Sequence, residues 1–158
     1  MILKGFIEED FCNYKKPSMF LGTSQCSFKC DAECGKQVCQ NSALATAPAK
    51  LFSNFALVER YLDNMITSAV VIGGLEPFDE FDELFIFIGV FRSYSDDDIV
   101  IYTGYTEEEI AKEVEWIKSH YNNIIIKFGR FVPDQKKHYD EVLGVYLASD
   151  NQYGKKIS

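Results

Sequence analysis

The sequence predicts an α/β fold: a single domain over residues 1–158, read as a partial (β/α) barrel with a mostly parallel sheet and a cysteine-rich loop at the sheet's carboxyl edge. Three observations predict it. Compact β-branched runs recur at Ala69–Ile72, Asp98–Tyr102 and Ile124–Lys127; the stretches between them carry helical signals; and turn residues follow the strands directly. A chain of 158 residues fits one core, and with 47% hydrophobic and 15% aromatic residues it can offset its ordering entropy without disulfides. No internal repeat or glycine/serine linker divides it.

Taken in order, Ser18–Gly22 reads as a short buried strand feeding the cysteine-rich segment. After Pro48, residues Leu51, Phe55, Val58, Leu62 and Met65 fall at three- and four-residue intervals, which predicts a helix from Ala49 to about Met65. Ala69–Ile72 is a buried parallel strand stopped by Gly73 and Gly74. Asp79 to Phe91 returns as a helix. Asp98–Tyr102 is the next strand, and Thr106 with Glu109 has capping-box spacing ahead of a helix running to Ser119. Ile124–Lys127 is a further strand, and a helical or irregular segment leads to Val142–Leu147. Parallel sheets place ligands beyond the carboxyl ends of their strands, so the segments after each strand are expected to gather at one edge.

Charge narrows the function. Twenty-four acidic against sixteen basic residues give a net charge of -8, which repels a polyanionic backbone; nucleic acid is not the expected partner. No apolar run reaches the ~20 residues that span a bilayer, and the first residues lack a signal peptide's apolar core. The expected location is the cytoplasm, where thiols stay reduced and clustered cysteines bind metal or do chemistry.

Four of the five cysteines are clustered: Cys26, Cys30, Cys34 and Cys39. Thiolates this close in sequence can surround one soft metal centre. Three on a four-iron cluster leave one iron open, whereas four close the site. A structural zinc is the alternative, although zinc ribbons show paired CxxC knuckles and this segment has none.

The run Cys26-x3-Cys30-x3-Cys34 resembles the CxxxCxxC loop of the radical S-adenosylmethionine superfamily, with one extra residue before the third cysteine. In a second alignment Cys39 is the third ligand, because Cys39-Gln40-Asn41 is similar to the asparagine-containing sequence that often follows the last cluster cysteine. Cys26 and Cys30 are ligands in both; Cys34 and Cys39 compete for one role or complete a four-cysteine site. Residues 73–77, Gly73-Gly74-Leu75-Glu76-Pro77, resemble the superfamily's GGEP segment, with Leu75 at the departure. The resemblance implies that Glu76 receives the amino group of the methionine moiety. Thr103-Gly104-Tyr105 is similar to the strand-end TGY of the small activators of anaerobic ribonucleotide reductase, where it helps frame the nucleoside. Lys127–Arg130 and the ending Leu147–Gln152, including Asn151, resemble those activators' late strand and terminus.

The resemblance implies a 4Fe-4S cluster and S-adenosylmethionine as cofactors, reductive cleavage to a 5'-deoxyadenosyl radical, a glycyl-radical enzyme as protein partner, and an electron donor such as flavodoxin or ferredoxin. If Leu75 and the altered spacing disable the cofactor site, an iron–sulfur electron-transfer or regulatory protein remains, and a zinc-stapled interaction module is the other class. Elsewhere Cys12 reads as a buried small hydrophobe, His120 as a helix-end residue facing the dipole, His138 as part of a solvated segment, and Asp79, Glu80, Asp82 and Glu83 as a solvated face matched to a helix dipole.

Overall fold

β-branched side chains are stiff about χ1 and pack well on a pleated surface, so the Val and Ile runs of this chain favour strands wherever both faces can be buried. The computed structural model describes Met1–Ser158. Along the chain it contains β1 (Ile2–Asp10), β2 (Ser18–Thr23), α1 (Lys29–Cys34), α2 (Ser42–Thr46), β3 (Lys50–Leu51), α3 (Asn54–Asp63) and β4 (Ala69–Gly73). A one-turn 3₁₀ helix at Pro77–Glu80 leads into α4 (Phe81–Arg92), followed by β5 (Asp98–Tyr102), α5 (Ala111–His120), β6 (Ile124–Phe128), β7 (His138–Asp140), β8 (Val145–Leu147) and β9 (Tyr153–Lys156). No helix is long and apolar enough to cross a membrane.

Seven strands form one sheet in the order β3-β1-β2-β4-β5-β6-β9. Its centre, β2-β4-β5-β6, is parallel, and Gly22 pairs with Gly73, Ile72 with Ile101 and Ile101 with Ile126. Both edges are antiparallel. The sheet is therefore mixed, with antiparallel margins, and its edge strands β3 and β9 do not pair into a closed barrel.

The alternation of the strands explains the two cores. Val70, Ile72, Ile99, Ile101, Ile124 and Ile126 face α3, α4 and α5, where Leu57, Leu84, Phe87, Phe91 and Ile117 are fully buried. Ala69, Val71, Val100 and Ile125 face the other way, onto Tyr14, Leu143 and Leu147. The three long helices thus lie on one face. The second face is covered by the β7–β8 hairpin and the β1–β2 connection, with Lys15 N donating to Leu143 O at 2.8 Å.

Two segments differ from the sequence expectation. Residues 50–51 are extended, because the backbone there completes the sheet edge: Ile2 pairs with Leu51, and Phe52 N donates to Met1 O at 2.9 Å. The helix starts only at Asn54 and buries Leu57, Val58 and Tyr61, leaving Leu51, Phe55 and Leu62 exposed and Met65 95% exposed beyond its end. Of the periodic stripe only Val58 is buried; Tyr61 meets α4, edge-on to Phe91 with ring centroids 4.9 Å apart. The segment after Gly129, expected to be helical or irregular, forms a hairpin and an edge strand.

The approach of β1 to β2 requires glycine at one point. A Cβ on Gly22 would lie 2.8 Å from Gly5 Cα, closer than real contacts allow, so the last turn of β2 before the cysteine segment accepts no side chain.

Phe91 is fully buried against Tyr61 and Phe87. Phe91→Ala is expected to destabilise the chain by about 3–5 kcal/mol, read from the midpoint of denaturant unfolding with the slope unchanged.

Candidate functional site

The carboxyl ends of the parallel strands and the loops that follow them line one cavity of about 510 Å³, between the sheet's second face and the β7–β8 hairpin. Cys26, Cys30 and Cys39 open onto it, and Cys34 does not. Gly74, Leu75 and Glu76 after β4, Thr103 and Gly104 after β5, and Lys127 and Gly129 at the end of β6 complete that end of the cavity. Motifs far apart in sequence therefore share one site. Among the expected cofactor residues, Gly73 packs under Tyr102, where a Cβ would meet the Tyr102 Cβ at 2.9 Å, and Pro77 is buried at the start of the 3₁₀ turn. Tyr105 lines an adjoining small pocket with Cys26, Cys30 and Arg130. Asn151 does not reach the cavity. Its side-chain amide donates to Arg130 O at 2.8 Å, while its neighbour Gln152 is buried in the cavity wall.

The cysteine loop is fastened to the 3₁₀ turn by carboxylates. Glu80 Oε1 accepts from Ser24 N at 3.0 Å and Ser24 Oγ at 2.6 Å; Asp79 accepts from Ser27 N at 2.5 Å and from Tyr105 Oη at 2.6 Å. Between these points Glu76 N donates to Gln25 O at 2.9 Å. Asp79 and Glu80 are thus not a solvated face, as their sequence context implied, but the anchors on either side of Cys26. Phe28 then adopts a left-handed conformation, φ 51°, and donates its N–H to Cys26 Sγ at 3.3 Å. For a bulky residue this is strained backbone, located between the first two cysteines.

Glu76 is only 6% exposed, and its carboxylate is nearly filled by protein donors: Thr103 Oγ1 at 2.7 Å and Phe78 N at 3.2 Å on Oε1, Gly104 N at 2.8 Å on Oε2. Burial raises its pKa against those hydrogen bonds. Lys127, also buried, donates to Gly129 O at 2.7 Å and Thr103 O at 3.3 Å; burial lowers it to about 8, while Glu76 and Cys30 favour its charge. A Cβ on Gly104 would stand 3.5 Å from Glu76 Oε2 and 3.7 Å from Cys30 Sγ, ordinary contact distances that place thiol and carboxylate beside the same turn.

Burial pushes the Cys26 thiol up to about 11, with Glu76 and Asp79 adding to the rise, and raises Cys30 in the same direction. Cys39 contributes electrostatically to both, which places it with them. No group of His, Cys, Asp or Glu side chains is close enough as it stands to grip a metal ion. Three soft thiols on one wall nevertheless suit a larger soft centre, and a bound cation supplies the positive charge that turns such thiols into thiolates. Cys12, expected to be buried, is exposed and lines the far side of the same cavity.

Arg130 closes the outer side of the cysteine loop. Its guanidinium pairs bidentately with Glu109, at 2.7 and 2.6 Å, and lies 5.5 Å from the centre of the Tyr105 ring, whose other neighbour is Lys29 at 4.3 Å. Its Nε is 3.2 Å from a Glu33 oxygen yet makes no aligned hydrogen bond. Glu109 also closes the capping box foreseen with Thr106, accepting Thr106 N at 2.9 Å. Sequence reasoning had quoted Lys127, Arg130 and Gln152 only within resembling segments and Glu109 only as a helix cap, giving none of them a role at the site; the interruption of an isoleucine strand by Lys127 was the signal available.

A family described as a 4Fe-4S single cluster domain matches residues 17–152, a span that includes the four clustered cysteines, Glu76, Thr103, Lys127 and Gln152. No curated protein and no solved structure matches the chain.

The Arg130 pair, with the N–H of Thr106, holds the Glu109 carboxyl at about 2, below its ordinary 4.5. A carboxyl depressed on folding stabilises fully above its ordinary value, and that stabilisation fades as pH falls toward the folded value. The difference in Tm between the wild type and Glu109→Gln is therefore expected to be largest above pH 4.5 and to vanish near pH 2. Thermal melts across that window check it.

Proposed function

Because the chain belongs to the 4Fe-4S single cluster domain family, we propose that it binds one 4Fe-4S cluster through Cys26, Cys30 and Cys39 and acts as a radical S-adenosylmethionine protein that activates a glycyl-radical partner such as anaerobic ribonucleotide reductase. The observation that carries this reading is the composition of one cavity wall: three of the four clustered thiols, a buried carboxylate and a buried ammonium. Three thiolates leave one iron of a four-iron cluster without a protein ligand. When bound, the reduced cluster supplies the electron that splits the sulfonium of S-adenosylmethionine into methionine and a 5'-deoxyadenosyl radical.

The chain's own residues then bind and orient. Glu76 Oε2 accepts one protein N–H and keeps acceptor capacity for an ammonium, while Lys127 uses two of its three N–H groups and keeps one for a carboxylate. Together they match the two ends of an amino acid. In this reading Glu76 takes the ammonium end of the cofactor, its carboxylate fixed by Thr103 and Gly104, which also line the cavity. The aromatic walls Phe20 and Tyr102 and the hairpin residues Val145 and Leu147 keep water from the reacting centre. The parallel strands β2, β4, β5 and β6 serve as the minimal partial (β/α) barrel. An electron donor such as flavodoxin or ferredoxin supplies the reducing electron, and the cytoplasm keeps the thiols reduced.

Leu75 favours a second reading. It stands where the resemblance expects glycine, is buried and lines the cavity. A leucine that blocked the cofactor would leave an iron–sulfur electron-transfer or regulatory protein.

Anaerobic reconstitution with iron and sulfide, reduction with S-adenosylmethionine present and measurement of 5'-deoxyadenosine separate the two. Cleavage is expected, abolished by Cys26→Ala, Cys30→Ala or Cys39→Ala and retained in Cys34→Ala. Glu76→Gln is expected to weaken cofactor binding about tenfold or more, the scale of a charge-assisted hydrogen bond. A complete, reducible cluster that neither binds nor cleaves the cofactor would establish the electron-transfer reading instead.

A further inference from the structure

Cys34 and Cys39 lie on either side of a reversal in the chain, and only Cys39 returns to the cavity. The first half of that reversal is local. α1 ends at Gly35, whose φ of 63° is left-handed and whose surroundings are open, and Gly35 N donates to Ala32 O at 3.4 Å. This cap turns the backbone but does not say where it goes next. Lys36 and Gln37 are exposed and make no hydrogen bond.

The second half is held by one side chain. Asp31, in the first turn of α1 and directly after Cys30, accepts Val38 N and Cys39 N on the same oxygen, Oδ1, at 2.8 Å each. These two are the hydrogen bonds donated by residues 36–40, so nothing else of that kind ties the returning chain to α1. Beyond Cys39 the chain is picked up again at once: Ser42 N donates to Cys39 O at 3.4 Å as α2 begins, and Leu44 packs beside Gly5 and Gly74.

We propose that Asp31 is the positioning residue that makes Cys39, rather than Cys34, the third thiol of the site. A carboxylate accepting two backbone N–H groups is a strong, directional tether, and here both groups flank the Cα of Val38 and lead directly into Cys39. Cys34 stays on α1, half-exposed and outside the cavity, because the helix that carries it is fixed by the same residue's backbone: Asp31 N donates to Phe28 O at 3.1 Å. The role of Asp31 for a cluster rests on the function proposed above; its hold on Cys39 does not, and the two are tested separately.

Hydrogen exchange on the metal-free chain reads the tether itself. Asp31→Ala is expected to speed exchange of the Val38 and Cys39 amides by about tenfold or more, while Asp31→Asn, which keeps an oxygen in place, stays near the wild type. On the reconstituted chain, the decay of the cluster's visible spectrum under a chelator reads the consequence: about tenfold faster in Asp31→Ala, restored in Asp31→Asn. Unchanged exchange in Asp31→Ala, or faster exchange with unchanged cluster decay, would overturn the proposal. If the wild type takes up no cluster, the functional reading fails, while the exchange experiment still decides whether Asp31 holds Cys39.

Discussion

The buried carboxylate of Glu76 is the constraint on which the rest of the site depends. An ionised carboxylate removed from water is costly unless donors surround it, and Glu76 has three, drawn from the turn after β4 and the turn after β5. Those hydrogen bonds fix the two turns relative to one another. The same turn after β4 then carries Asp79 and Glu80, which fasten the cysteine loop, so the position of Cys26 follows from where Glu76 is held. Across the cavity Lys127 balances the charge, and its backbone-carbonyl partners, Thr103 and Gly129, extend the frame to the end of β6. Three neighbouring parallel strands are thus tied at their carboxyl ends by one acid and one base.

The asymmetry of the sheet explains why the cavity lies where it does. The three long helices pack on one face, and the other face is covered by Tyr14, Leu143 and Leu147 together with a short hairpin. A hairpin covers less of a sheet than a helix layer, and the strand ends remain open beside it. Burial at that opening is sufficient to raise the Cys26 and Cys30 thiols while leaving a route in from solvent. Thiols so placed favour the protonated form until a cation is present, which couples metal binding to proton release.

The parallel core was legible because its signals are local and strong. Ile124, Ile125 and Ile126 are buried on both faces, and a doubly buried strand reads as an uninterrupted β-branched run. That Cys26, Cys30 and Glu76 would gather at one edge of the sheet was legible from their places after its strands. β1 was not, because its Lys4, Gly5, Glu8 and Glu9 break any apolar period; nor were β7, β8 and β9, each only three or four residues long. That Cys39 and not Cys34 reaches the cavity was not legible from spacing, since the return of the chain depends on hydrogen bonds within a non-repeating loop. The acids Asp79 and Glu80 were misjudged for a related reason: a carboxylate facing water and one accepting a loop's N–H groups look the same in a sequence.

The central claim is a cluster held by three thiolates with one iron open to S-adenosylmethionine. Electron paramagnetic resonance of the reduced, reconstituted Cys34→Ala chain, titrated with S-adenosylmethionine, tests it most directly. The expected result is a cluster signal that changes shape in proportion to added cofactor, because an amino acid end binds the open iron and alters its environment. A signal that stays the same at saturating cofactor would contradict it.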